Sequence, residues 1–448
     1  MATELVVFVN GVRAGAARAL TPERGRHPVL FRYDEAYIAR LDRTPLSVSI
    51  PVVRGDAEIA GWLDGLLPDD AEVRNDWAER EDAGGSDAMS LLSTPVGLDC
   101  AGAVQFCVPG DEAVVTTRDS GVGWRTEAEI ADWIRKAKAG GRWDHIGEHG
   151  WYSLGGYQTK IALYHDGDQW GVPFGQLPTT HILKPGIDPT PGRRYDDSDL
   201  IEHVSMAAAA GIGLDVAATR MERFGSERVL VVERYDRVWG EAGLRRVHQE
   251  DLCQALGRPP TEKYQSLGGP TPSEIADLIR HEAVAVSADL SRFLDALIFN
   301  WAVAATDAHA KNYSLLLEDD VVSLAPLYDI MSHLPYRQGQ PVGKIKTAMK
   351  VGRDYRLSGA DRASAWERTA QQLRLDPEET VDRAEDILRR CPDAIDAAID
   401  ALDAVDRASP QVALLSQEIH ERREDVLGAG RNSWTGSDAL RSDSTSIS

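Results

Sequence analysis

The front of the chain consists of short runs in which apolar and polar residues alternate, a pattern typical of β-strands with one buried face. Glycine, proline and charged clusters separate the runs, which read LVVFVNG, PVLFRYD, PLSVSIPV and, further along, CAGAVQFCVP. Asn10-Gly11 ends the first run and predicts a tight β-hairpin. Residues 56–80 have helical spacing instead, with GWLDGLLPDD near their middle. We therefore expect a β-rich N-terminal region with one helical segment.

The middle of the chain mixes both kinds of pattern. Residues 126–138 place Ile130, Trp133 and Ile134 at helical spacing, which predicts an amphipathic helix. A hairpin with its turn at Asp166-Gly167 should follow, built from KIALYHD and DQWGVPF. The next elements should be a strand, a helix and a buried strand, in the order THILKP, LIEHVSMAAAAGIG and RVLVVERYDR.

Helical patterns dominate from about Leu252 onward, as in SRFLDALIFNWAVAA and DRAEDILRR. The final segment, RNSWTGSDALRSDSTSIS, has almost no large apolar residues, so we expect it to be disordered. The order is thus a β-rich front, a mixed middle and a helical rear. A two-lobed kinase has this middle-to-rear arrangement, but so do many other α+β proteins, and the fold alone does not decide the function.

Composition narrows the classes of protein that fit. The 448 residues, 43% of them hydrophobic, suffice for two or three packed units. A formal net charge of −22 at pH 7 disfavours nucleic acid as the main ligand, because a duplex would repel this surface. The four cysteines lack metal-ligand spacing, which predicts buried free thiols in a reducing compartment. Without a secretory signal or a run of about 20 apolar residues, we expect a cytoplasmic protein with no membrane span.

The segment TDAHAKNYSLLL carries the sharpest candidate chemistry. It follows a long apolar helix and leads into a strand, with Asp307 and Asn312 at the spacing of base and metal ligand in a kinase catalytic loop. A carboxylate there can face the attacking hydroxyl, while the amide oxygen of Asn312 can face Mg²⁺ without adding charge. His309, between the two, is expected to orient or pack rather than to act as a base.

Three further segments could provide what ATP needs. Asp329 follows a short apolar stretch in LAPLYDIM and could hold Mg²⁺ between the β- and γ-phosphates. Lys184 in THILKP occupies the place of the lysine that grips the α- and β-phosphates. The Gly155-Gly156 loop, with Lys160 beyond it, could surround phosphates with backbone N–H groups.

The segment ERYDR ends a strand and could form the hinge between lobes, with Glu233 and Tyr235 offering backbone groups to adenine. Each segment also has an ordinary structural interpretation, since Asp and Asn are common turn residues and strand lysines are usually solvated. Their order favours a kinase: glycine loop, strand lysine, a helix with Glu202, hinge, Asp-x4-Asn and strand Asp. HRD, DFG and APE motifs are missing at these positions, so an ordinary eukaryotic-type protein kinase is not expected.

Seven segments resemble those of HipA-type toxins in the same order: SLGGYQTK, PTTHILKP, VVERYDR, RVHQEDLCQALG, KYQSLGGP, TDAHAKNYSLLL and LAPLYDI. LSVSIPV, GLLPDD and GLDCAGAVQF resemble the small N-terminal subdomain of that family, so the likeness runs from about Leu5 to about Ala429. The resemblance implies an α+β, two-lobed fold related to protein kinases and lipid kinases. The implied units are an N-terminal subdomain (1–115), an N-lobe with phosphate loop and hinge (116–235), a helical C-lobe with the catalytic loop (236–430) and a disordered tail (431–448).

The resemblance also implies a serine/threonine kinase that uses ATP and Mg²⁺, with Asp307 as base and Asn312 and Asp329 as metal ligands. The other implied ATP-binding positions are Gly155, Gly156, Tyr157, Gln158, Thr159, Lys160, Lys184, Glu233, Arg234, Tyr235, His309, Lys311 and Tyr328. Tyr157 and Thr159 stand where the family often has smaller or acidic residues. Ser153 falls at the serine that these kinases autophosphorylate, which inactivates them by pulling the loop away from ATP.

The partners implied are a HipB-like helix-turn-helix antitoxin, DNA only through that antitoxin, and a protein substrate, for which aminoacyl-tRNA synthetases are the best-known class. Two other functions stay open: a degraded kinase acting only as co-repressor, and a kinase of a lipid or small-molecule alcohol. Intact Asp307, Asn312, Asp329 and Lys184 argue against the first. The acidic composition and the lack of a basic amphipathic helix do not favour a membrane substrate.

Overall fold

The computed structural model describes residues 3–21, 27–117, 119–138, 152–156, 158–187, 195–241, 243–318 and 321–428. The serine-rich tail, Trp151 and Tyr157 lie outside these residues, so the disorder expected of the tail stays a prediction.

The N-terminal unit is built on the predicted hairpin. Val9 and Val12 pair across Asn10-Gly11, and both turn residues have positive φ angles, 52° and 71°, as a tight hairpin turn requires. Five strands form an antiparallel sheet in the order β4-β3-β2-β1-β5, which packs on the unit's helices. The elements are β1 (Glu4–Val9), β2 (Val12–Ala19), β3 (Val29–Tyr33), α1 (Glu35–Ile38), β4 (Asp56–Glu58), α2 (Ala60–Gly65), α3 (Ala71–Arg80), α4 (Ala88–Leu92) and β5 (Val104–Cys107).

Two predictions for this unit are wrong in part. PLSVSIPV is not a strand but a single tight turn at Val48 and Ser49, closed by one bridge between Ser47 and Ile50. Its prolines interrupt any ladder, and side chains take over its backbone groups: the Tyr33 hydroxyl donates to the Ile50 carbonyl (2.8 Å). The segment 56–80 begins with the strand β4, and its helical part is broken around Pro68.

The middle unit is a six-stranded antiparallel sheet in the order β10-β11-β9-β7-β8-β6. The predicted amphipathic helix covers it with Ile130, Trp133 and Ile134 buried. The predicted hairpin is present, with Gly167-Asp168 as its two-residue turn, one position later than expected. The elements are α5 (Ala113–Thr116), β6 (Gly121–Arg125), α6 (Glu127–Lys138), β7 (Ile161–Asp166), β8 (Gln169–Phe174), β9 (His181–Pro185), α7 (Ser198–Gly211), β10 (Thr219–Phe224) and β11 (Glu227–Glu233).

The rear is mainly helical, as predicted, although strands interrupt it after residue 252. The long α10 and α13 form its centre, where the rings of Trp301 and Trp366 meet edge to face at 5.2 Å. Its elements are β12 (Arg237–Gly240), β13 (Gly243–Arg246), β14 (His248–Asp251), α8 (Leu252–Ala255), α9 (Pro272–Glu282), α10 (Val286–Ala302), β15 (Ser314–Glu318), β16 (Val321–Leu324), β17 (Lys346–Val351), β18 (Asp354–Arg356), α11 (Leu357–Ala360), α12 (Ala363–Leu373), α13 (Pro377–Asp400), α14 (Ala404–Arg407) and α15 (Pro410–Gly428).

All four cysteines are buried free thiols, as predicted. Among the described residues, no helix combines the length and the apolar character that crossing a bilayer demands. The predicted unit boundaries at 115, 235 and 430 stay predictions.

Candidate active site

A deep cleft lies beside the middle sheet. β9 and β11 form one side of it, and β14, β15 and the predicted catalytic loop (residues 306–312) form the other. The end of α2 is a further wall. The empty space in the cleft, including the part that is open to solvent, is about 1140 Å³. The residues that line it are Gly65, Leu66, Ala101, Leu154, Gly155, Gly156, Gln158, Lys160, Ile182, Lys184, Glu202, Met206, Ala217, Val232, Glu233, Arg234, Tyr235, Asp236, Gln249, Glu250, Asp251, Gln254, His309, Lys311, Asn312, Ser314, Tyr328 and Asp329.

Three charged side chains meet in this cleft from three different elements. Lys184 on β9 donates from Nζ to Glu202 Oε1 on α7 (2.7 Å) and to Asp329 Oδ1 (2.8 Å). Asp329 follows β16 and has a φ of 59°, a left-handed conformation that a non-glycine residue adopts only where its surroundings impose it. Order along the chain had suggested these three residues, and the fold brings them together.

Burial and pairing together set the charges of this triad. Burial opposes the charge of Asp329, but the attraction and hydrogen bond of Lys184 outweigh it and lower the pKa of Asp329 to about 2. For Glu202 burial prevails over Lys184 and raises the pKa to about 7. The pKa of Lys184 is raised, since its two carboxylate partners more than offset burial. The lysine therefore stays charged beside a carboxylate, Asp329, that also stays charged.

The glycine loop rests against the N-terminal unit. The amide N–H of Asp69 donates to the Gly156 carbonyl (3.1 Å), and Ser153 Oγ donates to the Leu66 carbonyl (2.7 Å). Ser153 is fully buried in this arrangement. Gly156 has a φ of 104°, and a Cβ there would lie 2.9 Å from the ammonium of Lys160, so this position requires glycine.

The Lys160 ammonium contacts the glycine loop, and its Nζ donates to the Gly155 carbonyl (2.5 Å). Burial, followed by repulsion from Lys184, lowers the pKa of Lys160 to about 8. Gln158 also lines the cleft, whereas Thr159 does not. The prediction for Tyr157 lies outside the described residues.

The catalytic loop places its predicted base at the mouth of the cleft. The Asp307 side chain is 65% exposed, while His309 is buried 4.0 Å from it, measured from Nε2 to Oδ1. Burial lowers the pKa of His309 to about 4, so this ring is neutral near pH 7, and its orienting or packing role stays a prediction. Asn312 donates from Nδ2 to the backbone carbonyl of Asp307 (2.8 Å), which ties the two ends of the loop together.

Lys311, predicted to contact ATP, has its ammonium already engaged. Its Nζ donates to Asp251 Oδ2 (2.7 Å) and to the Gly65 carbonyl (3.0 Å). Asp251 in turn caps α8 by accepting from the amides of that helix. Lys311 therefore joins the predicted catalytic loop to the N-terminal unit. It also lines the cleft, and its contact with ATP stays a prediction.

Some backbone groups of the predicted hinge already form hydrogen bonds within the protein. The amide N–H of Glu233 donates to the Ala218 carbonyl (2.9 Å) and that of Arg234 to the Thr180 carbonyl (2.9 Å), so only the remaining backbone groups can meet adenine. The Arg234 guanidinium is buried and donates to Asp236 (2.8 Å), and the contact of this residue with the nucleotide stays a prediction.

Tyr328 lines the cleft beside the predicted hinge, with its ring centroid 5.9 Å from that of Tyr235. Its hydroxyl donates to the Lys311 carbonyl (2.8 Å), which holds the ring in place along the cleft.

Asn312 and Asp329 have the chemistry that a magnesium ion requires. Because the Asn312 Nδ2 is turned to Asp307, the amide oxygen is left for a ligand, and Asp329 has a second carboxylate oxygen beyond the one that Lys184 holds. Hard oxygen donors, few in number and completed by phosphate and water, suit Mg²⁺. Within the described part of the chain, no cluster of three or more His, Cys, Asp or Glu is placed to hold a metal ion.

Sequence reasoning missed the residues that come from elsewhere in the chain. Gly65 and Leu66 from the N-terminal unit line the cleft, and so does Glu250 on β14. The segment HQED was singled out only for its likeness to a family, yet Glu250 accepts from the amide of Val48 (2.8 Å) and from Trp62 Nε1 (3.2 Å) and so fixes the N-terminal unit to the cleft. Contacts across about 200 residues leave no periodic signal.

Comparisons with known proteins agree with this geometry. A family model described as HipA-like C-terminal domain matches residues 152–398, more than half of the chain, and one described as HipA N-terminal domain matches residues 5–107. The chain belongs to the HipA family. The predicted resemblance is therefore confirmed, and it covers both the N-terminal unit and the two lobes that enclose the cleft.

Relatives in this family are named as kinases. "Putative kinase Y4mE" of Sinorhizobium fredii is 32% identical over 408 residues, 90% of this chain and 92% of that protein. "Serine/threonine-protein kinase toxin HipA" of Shewanella oneidensis is 26% identical over 318 residues, 64% of this chain and 66% of that protein. The chain is thus a homologue of HipA kinases.

The HipA chain in a solved complex of HipA, HipB and operator DNA from Shewanella oneidensis has the same fold. It superposes with a TM-score of 0.77 at 24% identity, covering 95% of this chain and 97% of that one. The predicted α+β, two-lobed kinase-like fold is confirmed.

Proposed function

We propose that this HipA-family protein is a cytoplasmic, magnesium- and ATP-dependent serine/threonine protein kinase that acts as the toxin of a toxin–antitoxin pair. The observation that carries the proposal is the Lys184 ammonium, which bridges Glu202 and Asp329 inside one cleft that also holds Asn312. Asp307 stands at the mouth of that cleft on the same loop as Asn312. A lysine and a metal carboxylate placed before an exposed base are the parts that phosphoryl transfer needs.

On the nucleotide side, Lys184 would pair with the α- and β-phosphates, and Lys160 with the loop at Gly155 and Gly156 would enclose the rest. Asn312 and Asp329 would hold the metal. A magnesium ion held there would supply positive charge that offsets the negative charge of the phosphates. Because Lys184 already pairs with Asp329, nucleotide binding would require its ammonium to exchange or share this partner with phosphate.

On the hydroxyl side, Asp307 would accept the proton of a serine or threonine hydroxyl. The hydroxyl oxygen forms a bond to the γ-phosphorus as the bond from that phosphorus to the β,γ-bridging oxygen breaks. ADP leaves with the electron pair, and Asp307 carries the proton away to solvent. Partial exposure of Asp307 suits a substrate that arrives as a protein segment.

Autophosphorylation of Ser153 would switch the enzyme off. Ser153 is buried against Leu66, so it reaches a phosphate donor only when the glycine loop has left the N-terminal unit. A phosphate brings a charge of roughly −1.5 to −2 and cannot return to a site where it would face the carbonyl of Leu66 and the phosphates of ATP. The modified loop would stay out, and the nucleotide would lose its enclosure.

A HipB-like helix-turn-helix antitoxin is the expected partner, supported by the related complex that contains HipB and operator DNA. The net charge of −22 suits contact with a basic DNA-binding protein and makes DNA an indirect partner. The substrate would be a protein, with aminoacyl-tRNA synthetases as the first class to examine.

A growth experiment tests toxicity. Expression of the protein alone should arrest bacterial growth, and expression of Asp307→Asn to the same level should not. Equal arrest by both would separate toxicity from kinase activity and would favour the co-repressor alternative.

A further inference from the structure

Tyr264 contacts the proposed base directly, although it lies on a different loop. Its phenol O–H donates to Asp307 Oδ1, and its ring stands edge to face on the buried ring of His309, with centroids 4.9 Å apart. Two points of the side chain are therefore fixed, one by a hydrogen bond and one by packing. Tyr264 does not line the nucleotide cleft.

The loop that carries Tyr264 is tied firmly to its surroundings. The Lys263 carbonyl accepts from the amide of Ala310 in the catalytic loop (3.2 Å), and Lys263 Nζ pairs with Asp69 of the N-terminal unit (2.7 Å). The Tyr264 carbonyl accepts from the amide of Gly269 (3.0 Å), where a Cβ would come within 2.0 Å of the Glu262 carbonyl. A tyrosine held this way keeps its hydroxyl in one place.

We propose that Tyr264 is a positioning residue, which holds one carboxylate oxygen of Asp307 through its hydroxyl so that the other oxygen faces the attacking substrate. This inference rests on the proposed function, in which Asp307 is the base. The hydrogen bond uses Oδ1 and leaves Oδ2 to accept the substrate proton. A carboxylate on an otherwise exposed side chain would rotate, and one fixed oxygen removes that freedom.

The position of this contact separates its effect on phosphoryl transfer from any effect on nucleotide binding. Tyr264 and Asp307 both lie outside the set of residues that line the cleft. Loss of the phenol hydroxyl should therefore lower the rate of transfer and leave ATP binding unchanged.

The test compares Tyr264→Phe with a matched control, Tyr355→Phe, whose ring packs on Lys350 (Nζ 5.0 Å from the ring centroid) and does not line the cleft. The full-length, dephosphorylated proteins are incubated with Mg²⁺-ATP, and the rate of self-phosphorylation is followed by intact mass across a range of ATP concentrations. For Tyr264→Phe we expect a rate at saturating ATP about tenfold lower, as for loss of a hydrogen bond to a charged group. The KM for ATP should be unchanged, so that the loss falls on the transfer step alone. Tyr355→Phe should match the wild type.

An unchanged rate in Tyr264→Phe would overturn the inference, as would a faster rate, which would make the phenol an inhibitor occupying the substrate position. A slower rate accompanied by a raised KM for ATP and a lower Tm would assign only a structural role and would overturn it too. If Asp307→Asn keeps full activity, or the wild type transfers no phosphate, the proposed function fails and takes this inference with it.

Discussion

The two sides of the cleft differ in how far they are prepared before any substrate arrives. On the nucleotide side the Lys184 and Glu202 side chains are 10% and 3% exposed and already paired. On the hydroxyl side Asp307 is 65% exposed and is held by a single phenol. ATP is one small molecule that can be matched by a rigid site, whereas a protein segment needs an open approach. We therefore expect substitutions on the nucleotide side to weaken both ATP binding and phosphoryl transfer. Substitutions on the hydroxyl side should lower phosphoryl transfer alone.

The largest effect is expected for Asp329→Ala, which removes a proposed metal ligand and one partner of Lys184. We expect Mg²⁺-ATP affinity to fall about 10- to 100-fold, as for loss of a metal-supporting group. Phosphoryl transfer should fall by about 10³-fold in addition, because charge on the phosphates is no longer neutralised. Calorimetric titration with Mg²⁺-ATP and a transfer assay measure the two effects separately. Normal ATP affinity in this variant would contradict its place on the nucleotide side.

Asp307→Asn should lose transfer alone. The amide keeps the size of the side chain but cannot take a proton, so the rate should fall about 10²–10⁴-fold. Mg²⁺-ATP affinity should match that of the wild type, since Asp307 lies at the mouth of the cleft and does not line it. The same titration and transfer assays apply. A variant with weakened ATP binding, or with near-normal turnover, would remove Asp307 from the hydroxyl side.

Ser153→Glu tests whether the glycine loop on the nucleotide side can be displaced. A carboxylate cannot occupy the fully buried position where Ser153 donates to Leu66, so the loop should leave. ATP affinity should fall about tenfold or more, because the loop amides and Lys160 leave with it. Ser153→Ala, the control, loses one hydrogen bond and should bind ATP nearly normally. Equal affinity in the two variants would rule out a switch at this residue.

A smaller effect is expected at Glu250, which joins the N-terminal unit to the back of the cleft. Burial raises the pKa of Glu250 to about 7, above its usual value of 4.5. Stability from this group is therefore fully present below pH 4.5 and is lost as the pH rises through about 7. Glu250→Gln does not ionise, so its Tm relative to the wild type should be higher at about pH 8 than at about pH 5.5. A difference independent of pH would show that Glu250 does not titrate in the folded protein.

Local patterning predicted much of the fold because each element carries its own signal. The hairpin at Asn10-Gly11, the helix with Trp133 buried and the strand of Lys184 depend on turn chemistry and periodicity within a few residues. PLSVSIPV also has strand-like alternation, but its prolines and the contacts of Tyr33 decide otherwise. The conformation of this segment depends on side chains that are distant in sequence, and the local pattern of apolar and polar residues carries no information about them.

For the site, order along the chain predicted that Lys184, Asn312 and Asp329 share a function, and the fold places all three in one cleft. The residues that support them could not be predicted in this way. Tyr264 reaches Asp307 across 43 positions and Glu250 reaches Val48 across 202, and neither pair has a spacing rule. The ion pair of Lys311 with Asp251, across 60 positions, likewise has no signal in the sequence.

Phosphate mapping by mass spectrometry is the decisive test of whether this cleft is the active site of a kinase. Dephosphorylated wild type, Asp307→Asn and Asp329→Ala are each incubated with Mg²⁺-ATP, and any phosphorylated residue is located. The account predicts phosphate at Ser153 in the wild type and none in either variant. Absence of any phosphate in the wild type, or equal phosphorylation of all three proteins, would contradict the assignment of this cleft as the active site of a kinase.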